Sequence, residues 1–526
     1  MKMYSHPIDK TSSAGIKTLS TILVGGLLTV FIYWVGANLA NDVQFVVLLV
    51  SIITATTLWI TLSGLNSIRT IIIAIPLLIL APAIQLSDSF PIRLPVTTLY
   101  DILILIIGGM FILRAILGHG KRLIIPGRKF YFVLIALIPL TLLSMAYGSI
   151  VLQIPLSKGD WFEMVKFGLY ICAFYLGSQA IIKKNGLHFI SKIFVATIAI
   201  SALFGFAQSL NLWDFQLFGS SYYAAPRIAT GAAMEKHFSI LQTRAASTVL
   251  NPNEYGLLLA TGLSVALGLA ARRKIRGIQL IVQPGLILLL LLGIVSTGSR
   301  TAMLGTIALA IYYVTILLIP RWGLIPKKVR GDLIKRGIII SLVIISSLSL
   351  IFLSGSSLPL VGPIIEKRVS RLNAAIDWQI DSSVQTRLDN ISLIPIQLKR
   401  SPILGDGPSE GTSAEHIRVL GERVADSEWI LILLRNGLLG IGLYIAFWVT
   451  AFRLATYTIR SPILEISIFG HSTLGVLIIN LAGSITAISL FDMRRMTITC
   501  LLLGLCAAAA RYSKLNQQKS RSLGNF

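Results

Sequence analysis

Long uninterrupted apolar stretches constrain the fold of this chain more than any other feature of its sequence. They recur along most of the chain in runs of about 18–25 residues, the length of a helix that crosses a hydrocarbon core about 30 Å thick. Of the 526 residues, 55% are hydrophobic and 13% are charged, against roughly 25% charged in a soluble domain. A soluble fold of this length could not bury so much apolar surface, so the sequence predicts a polytopic membrane protein.

These runs predict an all-α fold with about fourteen transmembrane helices, in a range of 12–14, forming a single polytopic domain over residues 1–526. The first run follows three lysines and lacks the short apolar core and clean cleavage site of a signal peptide, so we expect a retained span. The predicted spans are approximately 17–39, 43–63, 69–87, 97–117, 129–148, 165–182, 190–210, 253–271, 278–297, 301–320, 337–354, 429–452, 464–488 and 496–511.

Basic residues are distributed unequally between alternate loops. One set of loops carries 28 of the 46 Lys and Arg residues and only three of the 22 acids, so it sums to +25 while the other set sums to −1. The positive-inside rule assigns the basic set, and with it both termini, to the cytoplasm. The net charge of +24 is therefore interpreted as a topology signal beside an anionic leaflet, and no nucleic-acid partner is expected.

Two loops on the outer side are longer than connectors require. They cover about 211–252 and 355–428, and loops of this length tend to be functional or disordered. The second has a mixed composition and is expected to contain short helices on the membrane surface. Within 384–398 the apolar residues share one helical face, although Pro395 would kink or end such a helix.

Two short motifs lie at the outer ends of predicted spans. Arg244 is followed by Asn251-Pro252-Asn253-Glu254, whose residue types are common at a helix N-terminus. Capping alone would explain this motif but not Arg244. The second motif, Thr297-Gly298-Ser299-Arg300, joins two spans. It is either a tight turn with a snorkelling arginine or a place where Arg300 binds a phosphate bidentately.

A third motif lies near the end of the longest outer loop. Arg387 precedes a basic stretch that contains Pro402, Gly405 and Gly407. One interpretation is a basic interfacial helix followed by a Pro/Gly turn. The glycines would also allow the backbone conformations that other residues avoid.

The fourth motif begins the span that follows this loop. Asp426 and Glu428 lie at the helix start, where either could simply cap the helix or interact with its dipole. Arg435 lies about two turns further on, where a charge is costly and usually paired. Nine residues of helix separate Asp426 from Arg435 by about 13.5 Å, so the two could bracket a site without pairing directly.

Arginines and carboxylates dominate these outer motifs. Arginines at this interface suit a polyprenyl-linked phosphate or pyrophosphate, and they can neutralise a departing pyrophosphate without a metal. A nearby carboxylate suits a general base that removes a proton from a sugar hydroxyl. The sequence has neither a His/Cys cluster with metal-ligand spacing nor a P-loop, so no metal and no cofactor are expected.

In their order and on this side of the membrane, the motifs resemble those of the O-antigen ligase and O-antigen polymerase superfamily of bacterial envelope glycosyltransferases. The resemblance covers roughly residues 95–450 in organisation. It implies a bundle of the lipid-linked glycosyltransferase type (GT-C type) in a bacterial cytoplasmic membrane, with a helical outer loop over a lateral cavity. Residue by residue it rests on Arg244, Asn251, Asn253, Arg300, Arg387, Pro402, Gly405, Gly407, Gly437 and Gly440.

One departure from the family pattern concerns the catalytic base. Family ligases resemble His-[Asn/Ser/Gln]-x9-Gly-x-x-Gly in this region, with the histidine proposed as the base. This chain keeps the spacing to Gly437 and Gly440 but has Asp426-Ser427 in place of the histidine pair. The departure favours a polymerase over a standard ligase and leaves Asp426 and Glu428 as alternative bases.

The resemblance implies polymerisation of undecaprenyl-pyrophosphate-linked repeat units into a surface polysaccharide, with Arg244, Arg300, Arg387 and Arg435 on the pyrophosphate. One alternative is a ligase that transfers the glycan to lipid A–core or to a protein. Another is a flippase of lipid-linked glycans, although no internal repeat is evident and the spans hold few ionisable groups. The expected partners are the lipid-linked oligosaccharide and membrane lipids, with a chain-length regulator and a flippase as further candidates.

Overall fold

The computed structural model describes an all-helical unit. The described residues are 67–80, 127–154, 156, 158–180, 182, 186–209, 245, 247, 249, 252–271, 279–318, 391, 393–407, 427–485 and 493–523. All of them belong to one compact unit formed by residues 66–85 and 94–526, while residues 1–65 and 86–93 form another. The predicted all-α class is confirmed, because the described part of the chain contains helices, turns and loops and no strand.

The described residues form eleven helices. Long apolar stretches form most of them, because a helix satisfies its own backbone groups where water is absent. The helices are α1 (Ser67–Leu80), α2 (Arg128–Ile150), α3 (Lys158–Ser178), α4 (Gly186–Ser209), α5 (Pro252–Ala271), α6 (Gln279–Thr297), α7 (Arg300–Leu318), α8 (Leu393–Arg400), α9 (Glu428–Ile459), α10 (Leu464–Ser484) and α11 (Met493–Leu523).

Ten of these helices overlap a predicted span, and α8 lies within the long predicted loop. By length and composition, six of the described helices can cross a membrane: α2, α4, α5, α9, α10 and most of α11. The predicted spans 17–39, 43–63, 97–117 and 337–354 lie outside the described residues, so the count of fourteen and the GT-C-type bundle stay predictions. Helices α9 and α11 continue beyond the predicted ends at 452 and 511, because charged residues end an apolar run without ending a helix.

Helix α10 lies at the centre of the described bundle and packs against α5, α7, α9 and α11. Small side chains bring α5 and α10 close together. Ser264 Oγ donates a 2.8 Å hydrogen bond to the carbonyl of Ser472, and a Cβ at Gly475 would contact Ser264. Such contacts between small residues allow close packing of membrane helices.

Candidate active site

Helix α9 is interrupted at Gly437. This residue has φ 61° and ψ −158° inside the helix, and glycine adopts a positive φ without the steric cost that other residues meet. The break separates the N–H groups of Leu438 and Leu439 from the carbonyls of Leu434 and Arg435, which would be their partners in a continuous helix. In an apolar environment all four groups need other partners.

The turn formed by residues 401–407 supplies those partners. It inserts its backbone at the break, so that two hydrogen bonds of the helix are replaced by four bonds to the turn. This exchange explains why a polar turn can lie against an apolar helix. The four bonds run from Leu438 N–H to Pro402 O (2.8 Å), Leu439 N–H to Ile403 O (3.2 Å), Asp406 N–H to Leu434 O (2.8 Å) and Gly407 N–H to Arg435 O (2.9 Å).

The turn needs glycine where it touches the helix. Gly405 has φ 70°, and a Cβ on it would lie 2.5 Å from the carbonyl carbon of Arg435. The hydroxyl of Ser401 donates a 2.7 Å hydrogen bond to the carbonyl of Gly405 and closes the turn. Gly407 also has a positive φ of 84°. The glycines of the third motif therefore serve the contact with α9.

Side chains anchor the turn and the break to neighbouring helices. The amide nitrogen of Asn436 lies 3.3 Å from Ser144 Oγ and 3.4 Å from Thr141 Oγ1, both on α2. Arg400 Nε lies 3.8 Å from the buried carboxylate of Asp406. The break is thus held from two sides, by α2 and by the turn.

The break folds α9 back on itself. In a straight helix, Glu428 and Tyr444 would be about 24 Å apart along the axis. Instead, the hydroxyl of Tyr444 donates a 2.6 Å hydrogen bond to Glu428 Oε2, and the rings of Trp429 and Tyr444 meet edge to face at 4.7 Å. A Cβ at Gly440 would lie 3.2 Å from Ile432 Cγ2. The segment 428–436 therefore runs back alongside the first turns of the segment 438–459.

A continuous helix would place Arg435 deeper in the bundle than Glu428, and the fold-back reverses this order. Arg435 adjoins the break and is half-buried, whereas Glu428 is fully buried beside Tyr444. Measured along the second segment, Tyr444 lies seven residues, or about 10 Å, beyond Gly437. The carboxylate of Glu428 is thus brought into the bundle, and Ser427 occupies the position just before the helix in an extended conformation with φ −99°.

The starts of two further helices meet α9 at the Ser484 end of α10. Trp429 Nε1 donates a 3.1 Å hydrogen bond to Ser484 Oγ. A Cβ at the neighbouring Gly483 would lie 3.6 Å from Thr301 Cγ2, one residue from Arg300. We call this meeting point the α10-end cluster: Arg300–Thr301, Glu428–Trp429, Gly483–Ser484 and Arg494–Arg495.

Arg494 and Arg495 are included in this cluster because they lie at the same height along the bundle as Ser484. Asn480 Nδ2 donates a 3.0 Å hydrogen bond to Thr499 Oγ1 between the antiparallel helices α10 and α11. Ser484 lies one turn after Asn480 and Arg495 one turn before Thr499, both toward the connection between the two helices. Ser484 and Arg495 therefore lie at the same height along the bundle. Arg495 is only 1% exposed and Arg494 only 6%. Buried charges in a membrane helix are costly and usually functional.

The second motif connects α5 to this cluster. Gly298 has φ 57°, and Ser299 Oγ accepts a 3.2 Å hydrogen bond from the N–H of Ala302, so Ser299 caps α7. A Cβ at Gly256 would lie 2.6 Å from Ala302 Cβ and 2.9 Å from Thr297 Oγ1. The short turn therefore brings the start of α5, which begins at Pro252, against the start of α7.

The predicted site residues thus divide into four groups. Glu428 and Arg300 lie in the α10-end cluster, whereas Arg435, Pro402, Gly405, Gly407, Gly437 and Gly440 build the break. Asn253 lies half-buried in the first turn of α5. Arg244, Asn251, Arg387 and Asp426 lie outside the described residues.

Several residues of the site were not singled out from the sequence. Asn436, Tyr444 and Ser484 hold the break and the helix starts together. A polar residue inside an apolar run, such as Asn436, does signal a buried partner. Arg494 and Arg495 gave a different signal, because two adjacent arginines next to a loop that is predicted to be outer run against the positive-inside pattern. Among the residues that the structure describes, His, Cys, Asp and Glu do not gather in groups of three or more that could hold a metal.

Fold and site together define a polytopic helical membrane protein with buried charged side chains at one end of its bundle. Residues 285–445 match a family model described as O-antigen ligase, and this match supports the resemblance of the motifs to the O-antigen polymerase and ligase superfamily. The matched segment ends one residue after Tyr444 and includes three of the four motifs, while Arg244, Asn251 and Asn253 precede it. A search of curated proteins gives no match.

Proposed function

We propose that the protein polymerises undecaprenyl-pyrophosphate-linked repeat units into an O-antigen, capsule or exopolysaccharide on the outer side of the bacterial cytoplasmic membrane. The observation that carries the proposal is the α10-end cluster, where the helix that begins at Arg300 of the second motif and the helix that begins at Glu428 of the fourth both contact the end of α10, through Thr301 and Trp429. The family match points to transferases of the O-antigen type in general. The aspartate in place of the family histidine favours polymerisation over ligation.

In the proposed reaction, a hydroxyl of one carrier-linked repeat attacks the anomeric carbon of the growing glycan. The new glycosidic C–O bond forms as the bond to the pyrophosphate breaks, and undecaprenyl pyrophosphate leaves with the electron pair. A carboxylate takes the hydroxyl proton. Glu428 is fully buried and accepts a hydrogen bond from Tyr444, which favours Asp426 as the base and Glu428 as a positioning residue.

The departing pyrophosphate requires positive charge, which arginines supply in fixed orientations. We assign this role to Arg300, Arg244, Arg387 and Arg435. Arg494 and Arg495 add buried positive charge at the level of Ser484, which supports an anionic group at this end of the bundle.

The test uses purified protein in proteoliposomes supplied with lipid-linked repeat units. Asp426→Asn should abolish polymerisation while the thermal unfolding curve stays unchanged. Glu428→Gln should reduce the rate and also lower the unfolding temperature, because it alters a buried hydrogen bond. Asp381→Asn, in the same loop but outside the motifs, is the matched control and should be active. Full polymerisation by the double variant Asp426→Asn/Glu428→Gln would refute the base assignment.

Ligation to lipid A–core or to a protein is the second candidate, favoured by the description of the matching family. A deletion strain separates the two functions. Loss of a polymerase leaves single repeats on the acceptor, whereas loss of a ligase leaves long chains on the carrier.

A flippase is the third candidate. Movement of labelled carrier-linked glycan across proteoliposomes without a new glycosidic bond would replace the transferase proposal.

A further inference from the structure

A lateral groove of about 770 Å³ runs along the second segment of α9. Its volume is that of a typical ligand cleft, roughly 300–1,000 Å³. The wall is formed by Ile445, Val449, Phe452 and Tyr457, with Arg453 and Arg460 near the end of the helix. Ile445, Val449 and Tyr457 are each more than 40% exposed, so this apolar face is open along its length.

The groove is charged at one end and apolar along the rest of its length, as a phospholipid molecule is. Arg453 and Arg460 are two turns apart on one helix face, separated by about 10 Å along the axis. From Arg453 toward the break, the wall is apolar through Ile445 over about 12 Å, and Trp429 and Leu481 extend it. One leaflet contributes about 15 Å of hydrocarbon, so the apolar wall matches the depth of one acyl layer below a charged headgroup.

We propose that this groove binds an anionic phospholipid of the leaflet at the Arg460 end, which the loop charges assign to the cytoplasm. The phosphate of the headgroup lies between Arg453 and Arg460, and an acyl chain lies along Phe452, Val449 and Ile445. Basic residues beside membrane helices attract anionic headgroups in this way. The headgroup end of the groove, at Arg453 and Arg460, lies about 14–24 Å along the helix beyond Tyr444, whereas the other end of the groove reaches Trp429 of the α10-end cluster. The proposed headgroup site is therefore distant from the proposed pyrophosphate site and does not depend on the catalytic proposal.

The test measures binding of phosphatidylglycerol to the full-length protein in detergent, by native mass spectrometry and by thermal unfolding. Phosphatidylglycerol should raise the unfolding temperature of the unaltered protein by several degrees, and phosphatidylcholine should raise it much less. Arg453→Gln/Arg460→Gln should weaken phosphatidylglycerol binding about tenfold, since each cation near the surface contributes to attraction. Lys192→Gln/Lys514→Gln removes the same charge from helices that do not line the groove, and should bind normally.

A second variant tests the apolar wall with both arginines in place. Val449→Trp should fill the groove and reduce phosphatidylglycerol binding. If that variant does not fold, the arginine pair and its control decide the question. Equal binding by the arginine variant and the lysine control would overturn the proposal. Equal stabilisation by soluble glycerol phosphate, or arginine-dependent binding of polyprenyl phosphate in preference to phosphatidylglycerol, would overturn it too.

Discussion

At Gly437 a single backbone conformation decides where the carboxylate of Glu428 lies. With φ 61°, the chain leaves the helical path, and the first segment of α9 turns back until Glu428 reaches Tyr444. The turn at Pro402–Gly407 compensates the break, since it satisfies the four backbone groups that the break exposes. Two glycines from different motifs, Gly405 and Gly437, thus act together to form the contact between the turn and the broken helix.

Gly437→Ala should destabilise the protein and abolish activity. The conformation with φ 61° and ψ −158° is essentially restricted to glycine and costs another residue about 1–3 kcal/mol, and the added methyl group would also contact the carbonyl of Ile403. Gly442→Ala is the control, because a Cβ there meets nothing within 4 Å. Thermal unfolding and polymerisation assays should separate the two variants, and an active Gly437→Ala protein with normal stability would refute the role of the break.

Tyr444→Phe should lower stability by about 1–3 kcal/mol, the usual cost of leaving a buried polar group short of a partner. It should also reduce the turnover rate more than the substrate affinity, because Tyr444 positions Glu428 without facing the substrate. Tyr512→Phe, a half-buried tyrosine on α11, is the control and should change neither quantity. Denaturant unfolding together with kcat and KM on lipid-linked repeats checks both effects.

Among the elements, α10 and α2 decide the arrangement of the site. The end of α10 collects the starts of α7 and α9 through Gly483 and Ser484. Helix α2 supports the opposite side, where Asn436 bonds to it and where the turn 401–407 lies against it. The site therefore depends on contacts between helices that are distant in sequence, with α2 and α9 almost 300 residues apart.

Gly148→Ala tests the contact between α2 and the turn. A Cβ at Gly148 would contact the carbonyl of Asp406, so the turn would have to move away from α9 and expose the broken backbone bonds. We expect loss of activity and a lower unfolding temperature. Gly285→Ala on α6, where a Cβ meets nothing within 4 Å, should leave both unchanged. If the two variants behave alike, the turn does not depend on α2.

At the scale of the whole molecule, the charges of the loops predict the orientation in the membrane. Loops with a sum of +25 alternate with loops near neutrality, so the termini and the loop at 408–426 are expected on opposite sides. The three cysteines that could obscure a labelling experiment, Cys172, Cys500 and Cys506, are all buried.

Single added cysteines should reveal this topology. In intact spheroplasts, a membrane-impermeant maleimide should label Ser409→Cys in the long loop. It should label Lys514→Cys, at an exposed position of α11, only after permeabilisation. The unaltered protein is the control and should stay unlabelled in both conditions. Labelling of Lys514→Cys in intact cells would place the C-terminal helix end on the outer side and reverse the orientation.

The apolar runs determined the membrane class and most helix positions from the sequence alone, because a length of about 20 apolar residues is a local property. The motifs likewise marked Gly405, Gly437 and Arg300 by short-range spacing. Helix ends were less predictable, since α9 and α11 continue past the charges that end their apolar runs. On the assumption of one continuous helix, the spacing of the residues also predicted that Arg435 lies about two turns into the span and that the acids lie at its start.

Tertiary structure alone decided the fold-back of α9 and with it the burial of Glu428. The partners that stabilise the break come from Pro402–Gly407 and from α2. The local sequence around Gly437 does not indicate which distant segment will form hydrogen bonds with the four backbone groups that the break leaves unpaired. The same holds for Arg495, whose burial at the level of Ser484 follows from the register of α10 against α11. A sequence specifies the need for such partners through the cost of unpaired groups in an apolar medium, but packing selects them.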